Sequence, residues 1–189
     1  MSIWAVVDNA PAAWLLKRLL GPLGLEVANA GERSTAMMMA AGAAGTREEP
    51  VALVLDSDSL EERSIVEDQL EIGGYLRRSS GATPSKLVLA VPQVEAVLFS
   101  DRAGLERALG RKIADDDAFE ARFRPKAVFR RLLGDGPTEE RALEVIDRLD
   151  DAALSRMAKH PVIREIADFA AKVRGHQEPV HAEPVRRSG

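Results

Sequence analysis

The sequence predicts an α/β fold: a parallel sheet of about four strands with helices on both faces, followed by a C-terminal helical region. Two patterns and one compositional bias lead there. Ile3 to Val7, Val51 to Leu55 and Leu87 to Val91 are short, unbroken apolar runs, the mark of strands buried on both faces. Helical spacing fills the segments between them, and parallel neighbours need such crossover connections. The chain is rich in Ala, Leu and Arg but holds a single Tyr, which favours helices covering a sheet over an all-β sandwich.

The first strand ends at Asp8-Asn9 ahead of Pro11, and Asn9 is placed to cap the helix that follows. From Ala12 to Leu23, Leu15, Leu16, Leu19, Leu20 and Leu23 recur at helical spacing with Lys17 and Arg18 opposite, and Gly24 stops the helix. Leu25 to Ala30 reads as a second strand, Gly31 to Ser34 as a turn, and the next helix runs through Met37, Met38 and Met39 to about Ala44. Those methionines read as packing residues, since a soft-metal site needs several converging ligands. Val51 to Leu55 is the clearest strand and ends in Asp56-Ser57-Asp58-Ser59. A helix over residues 61–78, a Gly/Pro/Ser loop over 79–85 and the strand Leu87 to Val91, closed by Pro92, complete the sheet.

Beyond Asp101 the periodicity is helical throughout: Leu105 to Lys112, Ala118 to Leu133, Thr138 to Leu149, Asp151 to Lys159 and Val162 to Val173. Pro161 stands in the first turn of the last of these. The chain therefore divides into an α/β domain over 1–101, a helical extension packed on it over 102–174, and a flexible tail over 175–189 that loses periodicity and gains Pro, His and Arg.

At 189 residues the chain has room for one medium domain, or a small one with an appendage. Its net charge of −4 argues against holding nucleic acid by bulk electrostatics, so any such contact must be local or metal-bridged. The absence of cysteine excludes disulfides, zinc-thiolate and iron–sulfur sites and cysteine nucleophiles. No basic segment followed by a long apolar one is visible, so neither a signal peptide nor a membrane span is expected, and the cytoplasm is the expected location.

In open parallel sheets, ligands bind beyond the carboxyl ends of the strands. Asp8 lies there on the first strand, Asp56 and Asp58 on the third. A D-x-D that stays extended aims Asp56 and Asp58 to one side with Ser57 opposed. Carboxylates gathered at one spot repel unless a cation or a shared proton intervenes. Magnesium suits them, because it prefers hard oxygen ligands and needs only one or two carboxylates from the protein; manganese is the alternative. The competing reading is that the aspartates cap helices and turns.

The segments VALVLDSDS (51–59) and AVPQVEAVLFSD (90–101), with an acidic residue closing the first strand and a Gly-containing turn before the second helix, make the first hundred residues resemble a Toprim domain. The later segment resembles the P-x-x-E-A-x-L stretch of Toprim proteins related to overcoming-lysogenisation-defect nucleases and other bacterial defence proteins. The resemblance implies magnesium-dependent phosphodiester cleavage or phosphotransfer. It makes Asp56 and Asp58 metal ligands, Asp8 the counterpart of the family's first-strand Glu, a general acid or base, and Glu95 the counterpart of the later Glu. Two departures stand out: Asp8 is one methylene shorter than Glu, and Asn9 replaces the usual Gly. The shorter side chain either shuts catalysis down or shifts Asp8 from proton transfer to metal binding. Catalytic residues are thus expected at Asp8 and Glu95, and metal ligands at Asp56, Asp58 and Asp8.

Two other outcomes stay open. One is a Toprim-like domain without turnover that serves as a regulatory or interaction module with a protein partner. The other is an atypical receiver domain, in which Asp8 helps bind magnesium and Asp56 accepts a phosphoryl group; the acidic pair of a receiver is reduced here to Asp8-Asn9, and no later strand ends in Lys-Pro. Glu95 either pairs with a surface Arg or points into the acidic site. Arg122, Arg124, Lys126, Arg130 and Arg131 read either as a solvated helix face, with Asp115 to Asp117 diluting their field, or as a seat for a nucleic-acid backbone. With no Ser-His-Asp grouping and no phosphate-binding P-loop motif, serine hydrolases and P-loop NTPases have no support.

Overall fold

The computed structural model describes residues 2–176. Its four strands, β1 (Ile3–Val7), β2 (Leu25–Asn29), β3 (Val51–Asp56) and β4 (Ser85–Ala90), form one all-parallel sheet in the order β2-β1-β3-β4. The expected α/β architecture is therefore present. β3 lies inside the sheet and all six of its residues are buried, as its unbroken apolar run requires.

Alternation along the strands splits the core into two layers. Ala52 and Val54 of β3 face α1 (Ala10–Leu20) and the C-terminal helices, while Val51, Leu53 and Leu55 face α2 (Arg33–Thr46) and α3 (Glu62–Ser80). By the same parity Asp56 points into the first layer. α1 is capped by Asn9, whose Oδ1 accepts the Ala12 N–H at 2.9 Å, and it ends in a short 3-10 turn (Gly21–Leu23) closed by left-handed Gly24.

The chain leaves β1 for β2 on one side and returns across β1 to β3 on the other. The strand order thus reverses between β1 and β3, which puts the topological switch point, the usual ligand crevice of such sheets, between Asp8 and Asp56.

After β4 come α4 (Ala96–Phe99), α5 (Arg102–Leu109), α6 (Asp115–Glu120), α7 (Pro125–Leu133), α8 (Thr138–Asp147), α9 (Asp151–Met157) and α10 (Pro161–Gly175). They share one core with α1 and the sheet: Val94, Leu105, Val128, Ile146 and Ile166 are buried in the same cluster as Val54 and Leu16. The single helix expected over Ala118 to Leu133 is two helices, because Pro125 lacks an N–H and fits only a helix's first turn; it opens α7. α10 runs on to Gly175, and the tail expected from there falls on residues 177–189, outside the described residues. Among the described residues no fifth strand follows β4, and no helix is long and apolar enough to cross a membrane.

Gly104 shows how closely the helical layer is packed. A Cβ there would stand 2.6 Å from Ala153 Cβ and collide with the Asp101 carboxylate, which accepts a 2.9 Å ion pair from Arg156. Gly104→Ala is expected to lower stability by about 1–3 kcal/mol, the usual cost of overpacking. Urea unfolding measures it, and an unchanged midpoint would show that α5 and α9 are not in this contact.

Candidate functional site

β3 delivers Asp56 to the carboxyl edge of the sheet with only 2% of its surface exposed. A buried carboxylate needs hydrogen bonds and a counter-charge. The loop after β4 supplies the first: the Val94 N–H donates to Asp56 Oδ1 at 2.8 Å. α7 supplies the second: Lys126 Nζ stands 3.4 Å from Asp56 Oδ2. The Asp56 carbonyl is fixed as well, by Arg33 at the start of α2, which donates to it at 3.0 Å and pairs with Asp68 of α3 at 2.6 Å.

Glu95 follows in the same loop and is 4% exposed, with Oε2 buried and lacking any hydrogen-bond partner. Burial, then the nearby Asp56 carboxylate, push its carboxyl up to about 7, against the pull of Lys126. Burial also raises Asp56, with the Val94 N–H and Lys126 opposing and Asp8 and Asp58 adding to the rise. For Lys126, burial works to lower the ammonium, but Glu95 and then Asp56 outweigh it, and it stands above the ordinary lysine value. Asp8 completes the group; its field reaches Asp56, Glu95 and Lys126, and its Oδ1 accepts a 3.0 Å hydrogen bond from Asn9 Nδ2. Of the two readings of Glu95, the structure shows the acidic site.

Asp58 is near enough for its charge to act on Asp56, but it is held by a different partner. The chain does not stay extended through the D-x-D: β3 ends at Asp56, and Asp58 takes a left-handed conformation with φ 52°. Its Oδ1 accepts a 2.8 Å hydrogen bond from Gln93 Nε2. Gln93 Oε1 in turn accepts the Lys126 N–H at 3.2 Å, so this one side chain ties the turn after β3 to the start of α7. The extended D-x-D from which a shared aim of Asp56 and Asp58 was expected is therefore absent.

A cleft of about 400 Å³ opens beside the cluster, lined by Asn9, Asn29, Glu95, Lys126, Phe129 and Arg130 among others. It lies between the carboxyl ends of β1 and β2 and the helices α7 and α8, with Glu95 and Lys126 on its wall. Lys126, which the sequence left either on a solvated helix face or in a seat for a nucleic-acid backbone, is instead the counter-charge of Asp56, a pairing that sequence reasoning missed. Its signal was Pro125, which starts a helix there and turns the next residue towards the loop that carries Gln93.

For a hard divalent cation the donor chemistry fits: Asp8, Asp56 and Glu95 offer oxygen alone, and three carboxyls outnumber the one Lys126 ammonium. The arrangement is not a finished cage. Among the described residues no group of three or more His, Asp or Glu is set to enclose an ion, and Asp58 is held by Gln93. Magnesium, which keeps most of its waters, needs only one or two of these carboxylates. No protein-family model matches this chain, and comparison with curated proteins finds no match.

Because Glu95 binds its proton more tightly folded than unfolded, stability measured in chelator should fall as pH rises from about 4.5 to about 7 and level off above. Glu95→Gln should remove that part of the slope and raise stability above pH 7 by about 1–3 kcal/mol. Urea titrations across the range read this directly; a variant profile parallel to the wild type would place the strained carboxyl elsewhere.

Proposed function

We propose that this chain is a Toprim-like, magnesium-dependent domain that cleaves phosphodiesters or transfers phosphoryl groups. One observation carries the reading: buried Asp56 and Glu95 share Lys126 at the switch point, with Asp8 beside them and a cleft leading in. A carboxyl whose proton affinity is raised to near neutrality in such a crevice is what acid–base chemistry needs. Asp56 and Asp8 would hold the cation, which when bound would activate water and offset charge developing on the phosphoryl group. Lys126 presents a fixed positive charge to a phosphoryl oxygen. Glu95, near 7 with a free Oε2, holds or gives up a proton there at neutral pH. Asp58 positions the loop through Gln93 and touches no reacting group.

Incubation with single-stranded, duplex and plasmid DNA and with RNA, in magnesium or manganese, tests this. Cleavage should fall about 100-fold or more in Asp56→Asn and Glu95→Gln. It should survive in Asp58→Asn, since Gln93 can bond either side chain. Loss in Asp58→Asn equal to that in Asp56→Asn would overturn this assignment.

A second reading, a Toprim-like interaction module without turnover, is favoured by Lys126 at 3.4 Å from Asp56, a resident cation where a metal would otherwise be needed. No cleavage on any substrate, with thermal stability indifferent to magnesium and manganese, would establish it. Against a receiver-like role stand Asn9 in place of a second acidic residue after β1 and, among the described residues, the absence of a fifth strand after β4.

A further inference from the structure

The end of α6 and the turn before α7 expose two aromatic rings. Phe119 is 61% and Phe123 50% exposed, and their rings meet edge to face with centroids 5.5 Å apart. Neither contributes to the core, so the sequence keeps two large apolar surfaces in water at a cost that packing does not repay. Between and beside them stand Arg122 and Arg124, both exposed and without an ion-pair partner among the described residues. The acidic residues of α6 offset that charge only in part, Glu120 being within the field of Arg124. Arg131 takes up Asp117 and Glu120 at 2.5 and 2.6 Å, and Arg102 takes up Asp115 at 2.7 Å, leaving Asp116.

The strip leads to the acidic centre. Arg124 is the N-cap of α7, Lys126 two residues on contacts Asp56, and exposed Arg130 one turn further lines the cleft. From this juxtaposition we infer that Phe119 and Phe123, with Arg122 and Arg124, form a platform for single-stranded nucleic acid that feeds the Lys126 cleft. The inference rests on the phosphodiester reading of that cleft for its purpose, though not for its test. Flat rings in water stack on unpaired bases whatever their sequence, and guanidinium groups between them meet the backbone phosphates. A duplex hides its base faces and leaves the phenylalanines idle. An acidic peptide satisfies the arginines but gives two rings no flat partner.

Binding is measured by fluorescence anisotropy with labelled dT20, rU20 and a 20-base-pair duplex, in EDTA so that no cleavage occurs. A single strand should bind more tightly than the duplex. Phe119→Ala and Phe123→Ala should each weaken that binding about fivefold or more, the lower end of base–aromatic stacking. The double variant Arg122→Ala/Arg124→Ala should flatten the slope of log K against log salt by about 1.4. All these side chains are exposed, so circular dichroism should show unchanged folding. Single-strand binding that ignores both phenylalanines overturns the inference. So does no binding at low salt, or phenylalanine-dependent binding of phosphatidylserine vesicles or polyglutamate with none of the oligonucleotides. Hydrolysis of bis(p-nitrophenyl) phosphate by the wild-type protein reads the centre without the platform, so the two can fail separately.

Discussion

Everything at the carboxyl edge of this sheet depends on burying Asp56. β3 lies between β1 and β4 with every residue inside, and its last side chain is a carboxylate facing the helical layer. Leaving such a group without partners costs several kcal/mol. The protein meets the demand with parts far apart in sequence, the Val94 N–H and Lys126, while Arg33 fixes the backbone carbonyl of the same residue. The loop after β4 must wrap back over β3 to present Val94, and the helical extension must close on the sheet to bring Lys126. The site and the packing of the C-terminal helices are one structural event, and core residues from both halves mix in a single cluster.

The same cluster is costly by construction. Three carboxyls share one ammonium, and the surplus is carried by raised proton affinity at Glu95 and Asp56. A core with no such role has no reason to bury Glu95 with an unpartnered oxygen, since an apolar side chain of that size would be more stable. Stability given up where strand order reverses is what the proposed site would require.

The sheet was legible because a strand buried on both faces writes an uninterrupted apolar run, and β1, β3 and β4 each do so. Asp56 was legible for the same reason, as the first polar residue after such a run. Asp58 was not, because its direction depends on one backbone angle, the left-handed φ of 52°, and on Gln93, a partner 35 residues away. Lys126 was hidden for a similar reason: it pairs with Asp56 across 70 residues, and its neighbours Arg122, Arg124 and Arg130 are all exposed. Only Pro125 betrayed the helix start that turns it inward. The acidic field expected from Asp115 to Asp117 is largely spent on Arg102 and Arg131, which local charge counting does not reveal.

The central claim is that Asp56, Glu95 and Lys126 form one coupled charge cluster. The direct measurement is a side-chain carboxyl titration of Glu95 by carbon-13 NMR in metal-free protein. Glu95 should titrate near 7 in the wild type, shift down in Asp56→Asn as a repelling carboxylate is lost, and shift up in Lys126→Met as the opposing charge is lost. Titration at an ordinary glutamate value in all three proteins would contradict the account.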